Sequence, residues 1–511
     1  MNVMRRIFSL LIVVFACLAI GLSVFQLNKA TDGIMIRDVD IGTIPARIFE
    51  KQEQIAAPVV VIAHGFAGSQ QLMQSFAIAL ARNGYIAVTF DFAGHGRNPS
   101  PLTGSITEET GATETLLAEL EKVSAYARLV GDGRLAVLGH SMASDIVVRF
   151  AQKSPDIAAT IAVSMFSPVV TATSPQNLLV IVGDWEGMLK DEALRAVSLA
   201  TAPRHAEASM LYGDPLKGTA REAVFIPHTE HVSVLFALES LRAAVEWLDA
   251  CLAIKRNEPL QLDARGPWIA FLITGSVLLA WRASQSLPQV TQEPIGAGLN
   301  WRRLWVPMVL PALITPLLLR FVPTHFLPVL VADYLAMHFA VYGLVTLAVL
   351  VFIVRPISLF TIQGRALHRL LAAVMLVVAY EALALFWPLD HYFTNFVPAL
   401  NRMPIVLAMM IGTLCYFLSD EWLTRGKDSA RGAYALSKLI FLISLGIATA
   451  LDFERLFFLI IIIPVILLFF LIFGLFSSWI YRRTGDPLVA GIAHALAFAW
   501  AIGVTFPILA G

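Results

Sequence analysis

A serine stands among small residues in the stretch Gly139-His140-Ser141-Met142-Ala143. It follows the apolar run "RLAVLG" (134–139), which is typical of a buried strand, and it precedes a helix predicted over about 142–153. A sharp strand-to-helix turn lifts a serine Oγ clear of the backbone, and such a turn needs small residues two positions before and after the serine. The following helix directs its first N–H groups and its dipole at a nearby oxyanion. The pattern therefore predicts nucleophilic attack by Ser141 on a carbonyl carbon.

Alternating strands and helices must position this serine. Short apolar runs rich in β-branched residues indicate buried strands, and longer amphipathic segments between them indicate helices, the longest over about 105–130. Such alternation predicts an α/β class with a mostly parallel, doubly wound sheet covered on both faces. The predicted strands are 57–63, 85–92, 134–139, 158–164, 177–183 and 222–227.

Three motifs, each at the end of a predicted strand, resemble those of the α/β-hydrolase superfamily. They are "HGFAG", "DFAGHG" and "GHSMA", and the resemblance covers residues about 35–255. It implies an α/β-hydrolase fold with Ser141 as nucleophile. It also implies an oxyanion hole built from the backbone N–H groups of Phe66 and Met142. Ala143 replaces the last glycine of the family's G-x-S-x-G pattern, which adds one methyl group.

The catalytic base is expected in the loop after the last strand, because the family orders its triad as serine, acid and histidine. His231 in "FIPHTEHVSVLF" directly precedes an apolar helix predicted over 232–253 and corresponds to the family's final histidine. His228 in the same loop is the alternative. Histidine is suited to proton transfer near neutral pH.

The triad acid is expected after the strand "NLLVIVG" (177–183). Members of the family usually carry it three residues after the terminal glycine, which here is Glu186. Asp184, one residue after the glycine, is the alternative. A Ser-His-acid triad hydrolyses esters by acyl transfer, with no metal ion and no cofactor.

The composition indicates a membrane protein. Of 511 residues 57% are hydrophobic and 14% are charged, against about 45–50% and about 25% in ordinary soluble domains. The net charge of zero provides no basic field for nucleic acid. The cysteines Cys17, Cys251 and Cys415 suggest neither a disulfide framework nor a thiolate metal site.

Apolar runs long enough to cross a bilayer lie at both ends of the chain. Residues 7–27 follow two arginines and are predicted to be an uncleaved anchor, with a cleaved signal peptide as the alternative. The predicted organisation is an anchor (1–29), an α/β-hydrolase domain (30–265) and a multi-pass domain of about eight helices (266–511). The eight further spans are predicted near 267–281, 304–321, 327–354, 370–387, 403–419, 435–451, 456–480 and 488–509.

Basic residues in the short segments that flank the spans predict the orientation, because cytoplasmic loops are enriched in Lys and Arg. Only Arg320, Arg402 and Arg455 fall in the short loops on the side predicted to be outside the cytoplasm. This bias puts residues 28–266 outside the cytoplasm, and we expect an integral protein of a bacterial inner or plasma membrane. The side predicted to be cytoplasmic holds Arg5, Arg6, Arg282, Arg302, Arg303, Arg355, Arg365, Arg369, Arg425, Lys427, Arg431, Lys438, Arg482 and Arg483.

Two stretches among the later spans resemble the CAAX-type intramembrane protease family. "SDEWLTRG" (419–426) resembles its E-E-x-x-x-R motif, and "YRRTGDPLVAGIAHALAF" (481–498) resembles its last motif, with His494 as the histidine. Three family positions differ in this chain, since Asp420, Leu445 and Phe498 stand where the family has glutamate, histidine and asparagine. Loss of the middle histidine removes a necessary base or ligand. We therefore expect a related helical scaffold without protease activity.

The main functional prediction is a membrane-anchored serine hydrolase that acts on a small-molecule or lipid ester. Both ends of the hydrolase domain are tied to predicted spans, so its site is expected close to the bilayer and an acyl lipid is a plausible substrate. One alternative is a transporter or lipid-handling protein with an accessory hydrolase-like domain. The other is an intramembrane protease relative with an appended hydrolase.

Overall fold

The computed structural model describes residues 2–52, 56–104, 111–201, 205–354 and 365–510. The beginning of the helix predicted over 105–130 lies outside these residues, as does Arg355. The chain divides into two compact units. The helical unit comprises Met1–Ile20, Ile273–Pro388 and Phe396–Phe506, and the sheet unit comprises Gly21–Leu272, Leu389–Asn395 and Pro507–Gly511.

The sheet unit contains an eight-stranded sheet with the order β1-β2-β4-β3-β5-β6-β7-β8. Strands β3 to β8 run parallel, and β2 is antiparallel to both β1 and β4. The sequence-based prediction of a mostly parallel sheet is confirmed. The strands are β1 (Ile34–Ile41), β2 (Ile44–Lys51), β3 (Val59–Ala63), β4 (Ile86–Phe90), β5 (Leu135–His140), β6 (Ile157–Val163), β7 (Leu178–Gly183) and β8 (Arg221–Ile226).

The hairpin of β1 and β2 was absent from the sequence-based prediction. Its two-residue turn is Gly42-Thr43, and Gly42 has φ +65°, which suits glycine. Most of β1 is exposed, so its alternation of apolar and charged residues does not resemble the buried runs of the central strands. A half-exposed edge strand gives a weak apolar signal for this reason.

Helices cover both faces of the central sheet because successive side chains of its strands point to opposite faces. On one face Val60, Ile62 and Leu138 pack in a core with side chains of α2 and α6. On the other face Val61 and Val137 pack with side chains of α3 and α4. The first seven helices of the chain are α1 (Asn2–Lys29), α2 (Gln74–Arg82), α3 (Ala112–Val130), α4 (Met142–Lys153), α5 (Gly187–Ser198), α6 (Leu238–Cys251) and α7 (Arg265–Ser284), of which α1 and α7 are candidate membrane spans.

Helix α4 follows the serine and is amphipathic. Its buried apolar residues Ala143, Ile146, Val147, Phe150 and Ala151 recur at the spacing of one helical face. This buried face fixes the first turn of α4, at which the serine stands, against the sheet.

The helical unit is built from long apolar helices, as predicted. Nine helices of the described residues are long and apolar enough to cross a membrane, and each overlaps one predicted span. The bundle helices are α8 (Trp301–Leu319), α9 (Ala332–Val354), α10 (Leu367–Glu381), α11 (Trp387–Tyr392), α12 (Met403–Thr424), α13 (Ala433–Leu451), α14 (Phe453–Leu456), α15 (Leu459–Thr484) and α16 (Pro487–Thr505).

Candidate active site

Ser141 lies in a strained turn between β5 and α4. Its φ of +54° is in the left-handed region, which residues with a side chain rarely adopt. A Cβ atom at Gly139 would lie 2.4 Å from the carbonyl oxygen of Ala143, so only glycine fits there. The glycine identified in the sequence is therefore required by the close approach of backbone within this turn.

His231 lies between Ser141 and Glu186 and makes a hydrogen bond to each. Its Nε2 is 2.8 Å from Ser141 Oγ, and its Nδ1 is 2.6 Å from Glu186 Oε1. The other carboxylate oxygen, Oε2, accepts hydrogen bonds from the Gly183 N–H and the Ser164 hydroxyl, both at 2.8 Å. This arrangement can move a proton from the serine hydroxyl to the imidazole while the carboxylate orients the ring.

The two alternative residues lie apart from this chain of hydrogen bonds. Asp184 is exposed and pairs with Lys190, its Oδ1 lying 2.6 Å from Nζ. The hydrogen bond and charge of Lys190 hold the pKa of the Asp184 carboxyl below its usual range. His228 is also exposed. The structure thus brings Glu186 and His231 to Ser141, and neither alternative residue.

The surroundings of Glu186 favour its ionised form. Burial acts to raise the pKa of this carboxyl, but hydrogen bonds from His231 and Ser164 outweigh burial and lower it. The Glu186 side chain is 6% exposed, whereas that of His231 is 36% exposed. The acid is therefore shielded from water while the imidazole is open to an incoming molecule.

The two predicted oxyanion residues lie on either side of the serine turn. Met142 is the first residue of α4, and the first N–H groups of a helix have no partner within it. Phe66 follows Gly65 in the loop after β3. A Cβ atom at Gly65 would lie 3.0 Å from Ser141 Cβ, so the chain before Phe66 passes directly beside the serine. Both backbone segments can thus contribute N–H donors to this side of the site.

His140 is a site residue that the sequence analysis missed. Its ring is fully buried, and its Nε2 lies 2.9 Å from the backbone carbonyl oxygen of His231. Burial and the neighbouring His231 lower the pKa of His140 to about 3. The neutral ring donates Nε2–H to that carbonyl. Its position between Gly139 and Ser141 carried no signal of this role, because the acceptor lies in a loop far away in sequence.

Ser164 was also missed. It directly follows β6, has φ +52° and donates its hydroxyl to Glu186. Strand β6 lies between β5 and β7, which carry the serine and the acid. The role of Ser164 depends on this order of strands in the folded sheet, which the spacing of residues along the chain does not encode.

Metal ligands are not clustered in the part of the chain that the structure describes. No group of three or more His, Cys, Asp or Glu side chains there is placed to hold a metal ion. The site consists of groups suited to proton transfer and nucleophilic attack.

The carboxylates of the second resemblance are engaged by basic side chains. Asp420 bonds to Lys438 and to the Ser437 hydroxyl. Glu421 accepts hydrogen bonds from Arg425 at 3.2 Å and from the Ser477 hydroxyl at 2.5 Å. Both carboxylates are thereby neutralised by cations of the helical unit.

His494, the histidine of the last motif, has a different acidic neighbour. Its Nε2 lies 3.3 Å from Glu381 Oε1, and both side chains are buried. Leu445, at the position of the missing histidine, is also buried. The absence of protease activity stays a prediction.

Comparison with known proteins bears on the sheet unit. Residues 54–255 match the family model described as Serine aminopeptidase, S33. The described residues of this range have the α/β-hydrolase fold. The predicted fold class, an α/β-hydrolase domain with a helical part of apolar candidate spans, is confirmed.

One curated relative and two solved structures are similar to the chain. A 2-(acetamidomethylene)succinate hydrolase of Mesorhizobium japonicum is 23% identical over 176 residues, 34% of this chain, and the chain spans 58% of that relative's length. A dienelactone hydrolase from Anabaena variabilis is 14% identical, with a TM-score of 0.33 over 42% of this chain and 97% of its own. An epoxide hydrolase from Vigna radiata is 15% identical, with a TM-score of 0.31 over 43% and 98%.

Proposed function

We propose that the protein is a membrane-anchored serine hydrolase that cleaves an ester by a triad of Ser141, His231 and Glu186. The observation that carries this proposal is the unbroken chain of hydrogen bonds from the serine Oγ through both imidazole nitrogens to a buried carboxylate, at 2.8 and 2.6 Å. The match to a family of serine hydrolases over 54–255 supports it.

The reaction follows from these contacts. His231 Nε2 takes the proton of Ser141 as Oγ bonds to the ester carbonyl carbon, and the N–H groups of Phe66 and Met142 stabilise the oxyanion. The oxyanion collapses, the C–O bond breaks, and the leaving alcohol takes the proton from His231. Water then adds to the acyl-enzyme with His231 as base, which releases the carboxylic acid and restores the serine. Glu186 stays ionised and holds the imidazole tautomer.

A lipid-like ester is the proposed substrate class. Large apolar side chains are exposed after the C-terminal ends of β6 and β7, where Ser164 and Glu186 lie. Phe166 is 65% exposed, Trp185 67% and Met188 85%. Exposed apolar clusters on soluble surfaces often mark binding sites for apolar partners. Acyl chains are the apolar group that an ester hydrolase near a bilayer would meet.

The hydrolase domain is proposed to lie outside the cytoplasm of a bacterial cell. The distribution of Lys and Arg predicts this side for the domain, for the loop that contains Arg402 and for the C-terminal end. Segments from both of those regions, Leu389–Asn395 and Pro507–Gly511, belong to the sheet unit. Ile508 is an example, since its N–H donates to the Gly94 carbonyl at 2.9 Å. Segments of one compact unit are expected on one side of a membrane, which supports the predicted number of spans between them, while the choice of side rests on the basic residues.

Labelling of membranes with a fluorophosphonate probe tests the proposed nucleophile. We expect labelling of the wild type and of His228→Ala, and none of Ser141→Ala or His231→Ala. The His228→Ala variant is the matched control, because this histidine lies in the same loop as His231 but is exposed. A folded wild type that neither reacts with the probe nor hydrolyses small esters would contradict the proposal.

A further inference from the structure

Seven residues from a distant part of the sequence belong to the sheet unit. This segment, Leu389–Asn395, lies far beyond the end of the hydrolase domain. It comprises the last four residues of α11 and the three residues that follow them. Its contacts within the sheet unit converge on the loops that carry the candidate catalytic groups.

The first contact fixes the loop of Phe66. Ser69, which ends the motif "HGFAGS", is buried, and its Oγ lies 3.1 Å from Thr394 Oγ1. The same Oγ accepts the backbone N–H of Asn395 at 3.0 Å. Thr394 and Asn395 therefore both hydrogen-bond to the hydroxyl of Ser69, which lies three residues after Phe66. The direction of the Phe66 N–H depends on how this short loop is anchored.

The second contact fixes the loop of His231. The ring of Phe393 stacks on that of Phe236, with centroids 5.6 Å apart and planes inclined by 18°. Phe236 is the last residue of the short helical turn Ser233–Phe236, which begins two residues after His231. Stacked aromatic rings stabilise a contact beyond the area they bury. The stacking thus restrains the chain five residues after His231.

The third contact is an ion pair next to the "DFAGHG" loop. Arg97 Nη2 lies 2.7 Å from Asp390 Oδ2. The backbone N–H of Arg97 also donates to the buried Asp91 carboxylate at 3.0 Å, and Asp91 accepts the Gln70 N–H at 2.8 Å. Gln70 adjoins Ser69, so this contact and the first one restrain the same loop.

We propose that Leu389–Asn395 is a positioning segment for the active site, which aligns the Phe66 N–H donor and the His231 ring through Ser69 and Phe236. This inference rests on the proposed hydrolase function. No residue of the segment takes part in the chemistry.

The test uses the purified full-length chain with p-nitrophenyl butyrate. We expect Thr394→Val and Phe393→Ala to lower kcat about tenfold and to change KM less than twofold, since misplacing a catalytic group by about 1 Å can cost about a hundredfold. Phe393→Tyr retains the ring and restores kcat. The matched controls are Thr449→Val, a buried threonine of α13, and Phe453→Ala, an exposed phenylalanine of α14; both retain wild-type kcat.

Amide hydrogen exchange supplies a readout that does not depend on activity. We expect faster exchange at residues 65–70 in Thr394→Val and at 232–236 in Phe393→Ala, with unchanged exchange in the central strands. In the double variant Phe236→Ala/Phe393→Ala, the loss of kcat should not exceed that of either single variant.

The inference is overturned if Thr394→Val and Phe393→Ala both retain wild-type kcat and wild-type exchange. It is also overturned if the control variants Phe453→Ala and Thr449→Val lose as much activity as the segment variants. Faster exchange throughout the whole Phe393→Ala protein would indicate general unfolding. In that case the result for Thr394→Val decides the inference, because valine has nearly the same volume as threonine. A wild type that is inert toward the ester and the fluorophosphonate contradicts the hydrolase function itself. In that case the exchange at 65–70 and 232–236 still shows whether the segment holds these loops.

Discussion

The buried imidazole of His140 donates a hydrogen bond from Nε2 to the backbone carbonyl of His231, at 2.9 Å. The residue before the candidate nucleophile therefore anchors the loop that carries the candidate base. The two rings lie 4.9 Å apart between centroids. A single side chain thus links the serine turn to the histidine loop and sets the separation of the two reacting groups.

This link makes stability depend on pH. Burial lowers the pKa of His140 to about 3 in the folded chain, against 6.5 for a free histidine. Between these values the unfolded chain binds a proton that the folded chain does not, so stability is lost as pH falls below 6.5. The loss from this group is at most about 1.4 kcal/mol per pH unit.

We expect His140→Phe to be less stable than the wild type at pH 8 by about 1–3 kcal/mol, because the His231 carbonyl loses its donor. On going to pH 5 the difference should narrow by about 2 kcal/mol, since the variant no longer carries the buried histidine. Thermal unfolding in detergent at both pH values measures this. The exposed His205, changed to Gln, is the control. A difference that widens in acid would show that His140 is charged when folded.

The identity of the triad acid can be tested with a matched pair of variants. Glu186→Gln keeps the shape of the side chain but cannot stabilise the imidazolium, and we expect kcat to fall by about 10²–10⁴-fold. Asp184→Asn should retain nearly full activity, because its carboxylate faces Lys190. Ester hydrolysis by both variants, with folding checked by circular dichroism, measures the effect. Equal losses of kcat in Glu186→Gln and Asp184→Asn would contradict Glu186 as the triad acid, because the effect would then come from the local negative charge alone.

The serine turn requires glycine at position 139. A methyl group there would lie 2.4 Å from the Ala143 carbonyl oxygen, so Gly139→Ala must displace the start of α4. We expect destabilisation of about 1–3 kcal/mol and loss of fluorophosphonate labelling. Gly446→Ala in α13, where nothing lies within 4 Å of the added atom, is the control and should label normally. Normal labelling of Gly139→Ala would show that the turn can relax.

Much of the central sheet and of the candidate site could be predicted because their signals are local. The strands from β3 to β7 are almost entirely buried runs, Ser141 and Glu186 follow strand ends at short spacings, and His231 lies in the loop after the last strand. The edge strand β1 was not predicted, because its exposed side chains give no apolar run. The roles of His140 and Ser164 depend on contacts between residues far apart in sequence, which no spacing encodes.

Apolar residues near the acid should determine the preference for acyl chain length. Trp185 and Met188 flank Glu186 and are more than half exposed. A long-chain ester would cover both side chains, and burial of apolar surface contributes about 25 cal/mol per Å² to the free energy of binding. We expect the double variant Trp185→Ala/Met188→Ala to lower kcat/KM for a p-nitrophenyl dodecanoate by about tenfold relative to the acetate. Leu129→Ala is the control, since Leu129 is 82% exposed at the end of α3, before β5 begins. An unchanged ratio would exclude these two side chains from acyl binding.

The orientation in the membrane can be tested with single cysteines in a background without Cys17, Cys251 and Cys415. Met188→Cys, on the hydrolase domain, should react with a membrane-impermeant maleimide applied to intact spheroplasts. Asp428→Cys, in the loop between α12 and α13 that is predicted to be cytoplasmic, should react only after lysis. Both positions are exposed, so a difference in labelling reports the side of the membrane and not burial. The opposite pattern would put the hydrolase domain in the cytoplasm. The orientation predicted from the basic residues would then be wrong.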